Sequence, residues 1–307
     1  MEKELVFGHQ NPDTDAIAAA IAASYYLNKK GLNTEAVALG KTNDETNFAL
    51  NYFKAQAPRV IKKADTKKVV LVDHNEKGQS VSNFDDLTVT HVFDHHKIDF
   101  KSNSPLFYHA EPIGSTSTIL YSFFSRDKIA IPAKIAGLML SGLISDTLLL
   151  KSPTTTDTDR QVIKKLAESA KVKNYSDYGL KLLKAGTNLS NKSEKDLIDG
   201  DAKSFNFSGK TFRIGQVNTV DIPSVLTRKD NLKTAILNEN KEKGYAGFLL
   251  LITDILNSNS TGLYYGENPD KISQALGEEV KNNTINLPGV VSRKKQVVPP
   301  LTSTLQN

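Results

Sequence analysis

The sequence predicts an α/β protein of two domains. The N-terminal domain should hold a mostly parallel sheet flanked by helices, and the smaller C-terminal α/β domain a mixed sheet. Three observations carry this. Short β-branched runs alternate with helical stretches as far as Lys184, the pattern of βα units. Each of the early apolar runs stops at Asp or His, as strands do at the ligand-bearing edge of an open parallel sheet. After a polar stretch at 187–193 the pattern turns to hairpin-type strands. A chain of 307 residues is also long for one core.

The elements follow in order. Leu5–Gly8 is a short buried strand, and His9-Gln10-Asn11-Pro12-Asp13-Thr14-Asp15 turns the chain into an Ala-rich helix from Ala16 to about Lys29. A carboxylate or hydroxyl caps that helix, and its dipole favours the acids. A histidine and two aspartates within seven residues exceed what capping needs. Glu35–Leu39 reads as a strand and Glu45–Lys54 as a helix. Gly40-Lys41-Thr42 resembles part of a P-loop, but Glu35 stands where the first glycine belongs, so that motif fails. Lys68–Val72 is a buried strand ending at Asp73, and Val89–Phe93 another, ending in Asp94-His95-His96.

Gly114-Ser115-Thr116-Ser117-Thr118 opens an amphipathic helix, where Ser115 either caps the helix or holds a phosphate. Ile135–Ser145 is apolar, more helical than extended, and leads into Asp146. Helices follow at Asp159–Ala170 and Asn174–Lys184. Domain boundaries are placed at residues 1–187 and 194–307, with 188–193 as linker. The second domain begins with a hairpin, Asp201–Phe207 and Lys210–Val220, turning at Ser208-Gly209. Helices at Ser224–Lys243 and Pro269–Leu276 and strands at Phe248–Asp254 and Gly262–Tyr265 complete it.

Composition narrows the chemistry. There is no cysteine, so thiolate zinc sites, iron–sulfur clusters and cysteine nucleophiles are excluded. Any metal must be held by His, Asp, Glu or backbone oxygen. The charged start, Met1-Glu2-Lys3-Glu4, carries no signal-type apolar region, and no apolar run reaches a membrane span; a cytoplasmic protein is expected. The net charge of +5 suits nucleic acid and small phosphate anions equally. In a parallel sheet the strand ends converge. His9, Asp13, Asp15, Asp73, Asp94, His95, His96 and Asp146 then form one carboxylate-rich, imidazole-bearing cluster suited to two divalent ions. The second domain contributes cations instead: Lys203 within a strand, and Ser292-Arg293-Lys294-Lys295-Gln296 anchored by apolar residues on both sides. An arginine fork and lysine point charges suit phosphate oxygens.

These motifs, in this order from His9 to Gln296, resemble the family II inorganic pyrophosphatases of the Asp-His-His phosphoesterase superfamily. No inserted regulatory domain interrupts the N-terminal half. The resemblance implies that His9, Asp13 and Asp73 bind one Mn²⁺ or Co²⁺. It implies that Asp15, Asp73, His95 and Asp146 bind a second, with Asp73 bridging, so that each subunit holds two. It also implies that His96, Lys203, Arg293 and Lys294 hold pyrophosphate in a cleft between the domains, and that the protein is a homodimer through the N-terminal domain. Asp94 is expected to orient a neighbouring ligand, and His74 to support the site or the fold. Two cations roughly 3.5–4 Å apart can share a water, lower its pKa toward neutrality and aim it, releasing two orthophosphates. Imidazole suits Mn²⁺ better than Mg²⁺; further Mg²⁺ is expected with the substrate. Domain closure would bring Lys and Arg onto the phosphates.

Two rival readings remain. A related phosphoesterase acting on oligonucleotides would share the metal cluster. This chain, however, has no Gly-Gly pair, no histidine after His109 and few aromatics near its basic loop on which bases could stack, so no nucleic-acid partner is expected. A non-catalytic phosphate- or metal-responsive protein could use the same cleft, but a complete set of metal ligands plus phosphate cations argues against an inactive site.

Overall fold

The structure is a computed structural model and describes residues 2–306. The chain divides into two compact units, one ending at Gly186 and one beginning at Thr187.

The first unit runs β1 (Glu4–Phe7), α1 (Thr14–Lys29), β2 (Thr34–Ala38), α2 (Asp44–Tyr52), β3 (Arg59–Val60), β4 (Lys68–Val72), β5 (Thr88–Asp94) and β6 (Phe107–Ala110), then α3 (Thr116–Arg126), α4 (Ala133–Thr147), α5 (Asp157–Ser169) and α6 (Tyr175–Gly186). Its six strands are ordered β3-β2-β1-β4-β5-β6, and every pair is parallel. The order reverses at β1, since β2 lies on one side of it and β4 on the other. Open sheets bind their ligands at such a switch point, outside the C-terminal strand ends. The apolar side chains of β1 and β4 are fully buried, as expected of strands covered on both faces. The small side chains of α1 (Ala16, Ala18, Ala19, Ala20, Ala22 and Ala23, all buried) let it lie close to its neighbours.

The second unit runs α7 (Glu194–Asp199), β7 (Ala202–Phe207), β8 (Lys210–Thr219), α8 (Ile222–Leu226), α9 (Lys229–Lys243), β9 (Gly247–Asp254), β10 (Asn259–Gly266), α10 (Pro269–Leu276), β11 (Thr284–Pro288), a wide helical turn at Arg293–Val297, and α11 (Val298–Leu305). Its sheet order is β11-β10-β9-β8-β7. β8 and β9 are parallel and the other pairs antiparallel, so the sheet is mixed. The β7–β8 hairpin turns through Ser208 (φ 49°) and Gly209 (φ 81°), the left-handed pair that a two-residue hairpin loop requires.

Several elements depart from expectation. The helix foreseen over 224–243 is two, α8 and α9, broken at Thr227–Arg228. The Arg228 guanidinium there donates to the Leu189 and Lys192 carbonyls and to Glu194, fastening the 187–193 stretch to the second unit. The edge strands β3, β6 and β11 and the helices α7 and α11 are further elements. Among the described residues no helix is long and apolar enough to cross a membrane.

Candidate metal centre

Three adjacent strands of the first sheet end at the cluster. β1 leads to His9, β4 to Asp73 and β5 through Asp94 to His95. Asp73 leaves its strand with φ at 59°, a left-handed conformation that only local bonding makes acceptable for a residue with a Cβ. Its N–H donates to the Phe93 carbonyl at 2.9 Å, and its side chain is 1% exposed.

The two Asp73 oxygens face opposite ways. Oδ2 lies 3.6 Å from His9 Nε2, and Oδ1 lies 3.3 Å from His95 Nε2. His9 Nε2 is also 3.5 Å from Asp13 Oδ2, and His95 Nε2 is 3.5 Å from Asp146 Oδ2. Potential ligand atoms of His9, Asp13 and Asp73 lie within 4.8 Å of one another, and so do those of Asp15, Asp73, His95 and Asp146. A third grouping of Asp73, His95 and His96 overlaps them.

Each imidazole is oriented from its far side. His9 Nδ1 donates to the Gln10 carbonyl at 2.9 Å and His95 Nδ1 to the Ile113 carbonyl at 2.8 Å. A carbonyl only accepts, so Nδ1 carries the proton and Nε2 is the face offered to the carboxylates. Asp94 is fully buried. It accepts from Asn75 Nδ2 and, at 2.9 Å, from His96 Nδ1, so His96 keeps Nε2 outward on a half-exposed ring. His74 is buried, donates from Nδ1 to the Val72 carbonyl and has no hydrogen-bond partner at Nε2 among the described residues; burial lowers its pKa to about 4.

Asp13 divides its oxygens. Oδ1 accepts from Ala16 N–H at 2.9 Å as the N-cap of α1, and Oδ2 faces His9. One oxygen of this side chain caps the helix while the other faces the cluster. Asp15 points into the N-terminus of α3. Thr116 N–H donates to Oδ2 at 2.7 Å, and the Ser117 amide and hydroxyl also donate to Asp15. The Thr116 hydroxyl donates to Asp73 Oδ1 at 2.9 Å. Gly142 of α4 makes room for Asp15, for an ideal Cβ there would sit 2.2 Å from Oδ1. One turn on, the end of α4 presents Asp146. The chain then departs through Leu148, Leu149 and Leu150, all left-handed (φ 46°, 55° and 67°), at roughly 1–2 kcal/mol each.

Ser115 divides from its neighbours here. It is fully buried, and its hydroxyl accepts from Thr118 N–H as the cap of α3, which is the capping alternative. Thr116 and Ser117 are the members of the hydroxyl run that reach the cluster. The run itself was the signal, but it does not say which member points where.

The charges fit divalent ions. Burial, then the charge of Asp73, raises the Asp15 carboxyl to about 7. Burial and the charges of Asp15 and Asp73 hold Asp146 well above the carboxylate range. Burial alone would depress both histidines. The hydrogen bond and charge of Asp13 outweigh it at His9, and those of Asp73 at His95, raising each to about 9. Oxygen and imidazole donors without thiolate form a hard-to-borderline set, which divalent Mn²⁺ or Co²⁺ matches.

The cations of the second unit form their own constellation. Arg293 is 9% exposed because its guanidinium bonds Asp201 Oδ1 at 2.7 Å, the Asp201 carbonyl, and the Ile214 carbonyl at 3.3 Å. Ile214 is the cross-strand neighbour of Lys203, so the Arg293 guanidinium is bonded to the β8 backbone at the register position of Lys203. Lys203 and Lys294 are exposed. Gln216 accepts from Arg293 N–H at 3.3 Å and donates to the Val291 carbonyl at 3.0 Å. Gln296 accepts from Val291 and Ser292 N–H, both at 3.0 Å. Asp201 and Gln216 carry no motif signal, since they meet Arg293 only in the fold.

The chain is similar along its whole length to known proteins. The family described as "DHH family, N-terminal domain" matches residues 3–143, and the "DHHA2 domain" matches residues 180–304. A Lactiplantibacillus plantarum protein described as "Probable manganese-dependent inorganic pyrophosphatase" is 58% identical over 305 residues, covering 98% of both chains. A Lactobacillus helveticus protein of the same description is 56% identical over 311 residues, covering all of both. A solved Methanococcus jannaschii structure, assigned to the family II inorganic pyrophosphatases, is 38% identical. It superposes with a TM-score of 0.64 and covers 99% of this chain and all of its own. With more than half its residues shared across their full length, this chain belongs to the manganese-dependent, family II inorganic pyrophosphatases.

Proposed function

We propose that the chain hydrolyses inorganic pyrophosphate to two orthophosphates at a two-metal centre. The observation that carries this reading is the division of Asp73, one oxygen toward His9 and the other toward His95, as a bridging carboxylate requires. His9, Asp13 and Asp73 would hold one ion, and Asp15, Asp73, His95 and Asp146 the other. Mn²⁺ is favoured by the relatives' description, with Co²⁺ suited to the same donors and Mg²⁺ arriving with the substrate. Bound there, two such ions supply the charge that lowers the pKa of a water toward neutrality and offsets the anionic phosphates.

The chain's own groups do the remaining work. His96 keeps its Nδ1 proton on Asp94 and offers Nε2 to a phosphate oxygen, as a hydrogen bond or as a proton for the leaving phosphate. Lys203, Lys294 and Arg293 hold the phosphates from the second unit, which closes on the first to assemble the site and opens to release product. Ser115 serves this reading as the cap of α3. The protein works in the cytoplasm as a homodimer through its N-terminal unit.

The test is phosphate release from pyrophosphate, from a dinucleotide and from a nucleotide ester, with Mn²⁺ and after chelation. Mn²⁺-dependent release from pyrophosphate alone is expected. Comparable release from the dinucleotide, or activity that survives chelation, would refute the reading.

A further inference from the structure

Glu45 lies outside every motif, at the start of α2, yet two turns of the metal centre meet on it. The Thr14 hydroxyl donates to Glu45 Oε1 at 2.6 Å, and the Ser145 hydroxyl donates to the same oxygen at 2.5 Å. Thr14 sits between Asp13 and Asp15, and Ser145 immediately precedes Asp146. Thr14 is 2% exposed, and its hydroxyl also lies 3.2 Å from that of Thr46 in the same α2 turn. On the far side Gly186 gives Glu45 room, for a Cβ there would stand 2.8 Å from Oε2. One carboxylate oxygen therefore joins the first turn of α1 to the last turn of α4, two helix ends with no covalent connection nearby.

The join has a physical reason. Asp15 and Asp146 must stand close together before an ion is present, and like charges at that range repel. Helix termini are also the places where a helix frays. We propose that Glu45 is a positioning residue that holds the Asp13–Asp15 turn against the Asp146 turn, and that it thereby sets the affinity of the ion shared by Asp15 and Asp146. Glu45 touches neither ion nor substrate. It acts through the two hydroxyls, so its effect belongs to hydrogen bonding and not to net charge. This inference rests on the two-metal reading above.

Mn²⁺ titration of the metal-stripped protein tests it, with free ion followed by electron paramagnetic resonance and folding by circular dichroism. Glu45→Ala should weaken one of the two ions by about 10–100-fold, as loss of an outer contact to a ligand does. Glu45→Gln, whose amide oxygen accepts from both hydroxyls, should stay within about threefold of wild type. Ser145→Ala removes a single donor and should weaken the same ion by about tenfold; it carries the test if Glu45→Ala does not fold. In the Glu45→Ala background Ser145→Ala should add nothing. Wild-type affinity in both alanine variants, or a Gln variant as impaired as the Ala variant, would overturn the inference while leaving the two-metal reading intact. A wild-type chain that takes up fewer than two Mn²⁺ would overturn both.

Discussion

Gly142→Ala is the most searching substitution for the metal centre, because it adds one methyl group and removes no ligand. Gly142 and Asp146 are four apart on α4 and share a face. The added Cβ would stand 2.2 Å from Asp15 Oδ1, 2.8 Å from Ser117 Oγ and 3.0 Å from Asp15 Cα. Ordinary contact begins at 3.4 Å, so the oxygen must retreat by 3.4 − 2.2 = 1.2 Å or the two helices must part. Metal–ligand distances tolerate only about 0.2 Å, so either movement takes Asp15 out of reach of its ion. The fold should survive. Replacing glycine in a helix interior is favourable by about 1 kcal/mol, against about 1–3 kcal/mol for overpacking. Mn²⁺ titration of the stripped variant should show one ion near wild-type affinity and the other weakened on the order of 100-fold, with phosphate release falling in step. Two ions at wild-type affinity in a folded variant would refute the claim that close packing at Gly142 seats Asp15.

Three further outcomes are expected. Arg293→Ala should keep both ions and lose on the order of 10²–10³ in turnover, the cost of removing one charge-stabilising donor; unchanged steady-state rates would remove Arg293 from the phosphate site. Asp73→Asn should lose both tightly bound ions, and metal analysis showing full occupancy would rule out a bridging role. Mn²⁺ binding near pH 7 should release protons, since His9 and His95 are raised to about 9 and ligation needs them deprotonated. Apparent affinity should therefore climb with pH until about 9 and then level. Calorimetry in buffers of differing ionisation enthalpy reads this directly, and heats independent of the buffer would contradict it.

The carboxylates and imidazoles of the centre were legible because the parallel sheet gathers strand ends, and His9, Asp73 and His95 all stand at such ends. Asp146 was legible as a candidate, although it arrives from a helix terminus that no strand pattern places. The supports were not legible. Thr116 reaches Asp15 across 101 residues and Arg293 reaches Asp201 across 92, and no periodicity encodes contacts of that span. Thr116 and Ser117 were hidden behind Ser115, because a hydroxyl run at a helix start announces a cap without saying which neighbours turn inward. β3, two residues long, and the largely half-buried edge strand β6, four residues long, are too short for an alternating pattern to declare itself. The break between α8 and α9 follows from where the Arg228 side chain is used, a tertiary demand that overrides local helix propensity.

The position of β1 in the middle of its sheet bears on when the chain can first meet its ions. β2 adds on one side of β1, but β4 and β5 must add on the other before Asp73 and His95 come near His9, and α4 docks later in sequence still. The set of His9, Asp13 and Asp73 is complete once β1, α1 and β4 are in place, whereas the set of Asp15, Asp73, His95 and Asp146 waits for α4. An ion held by the second set would therefore not template folding; it would bind the finished chain and shift the equilibrium by mass action, by about 2.7 kcal/mol at a hundred times its dissociation constant. Stabilisation confined to the native state slows unfolding and leaves the folding rate where it was. Cells starved of manganese should make this protein as fast as ever and lose it sooner.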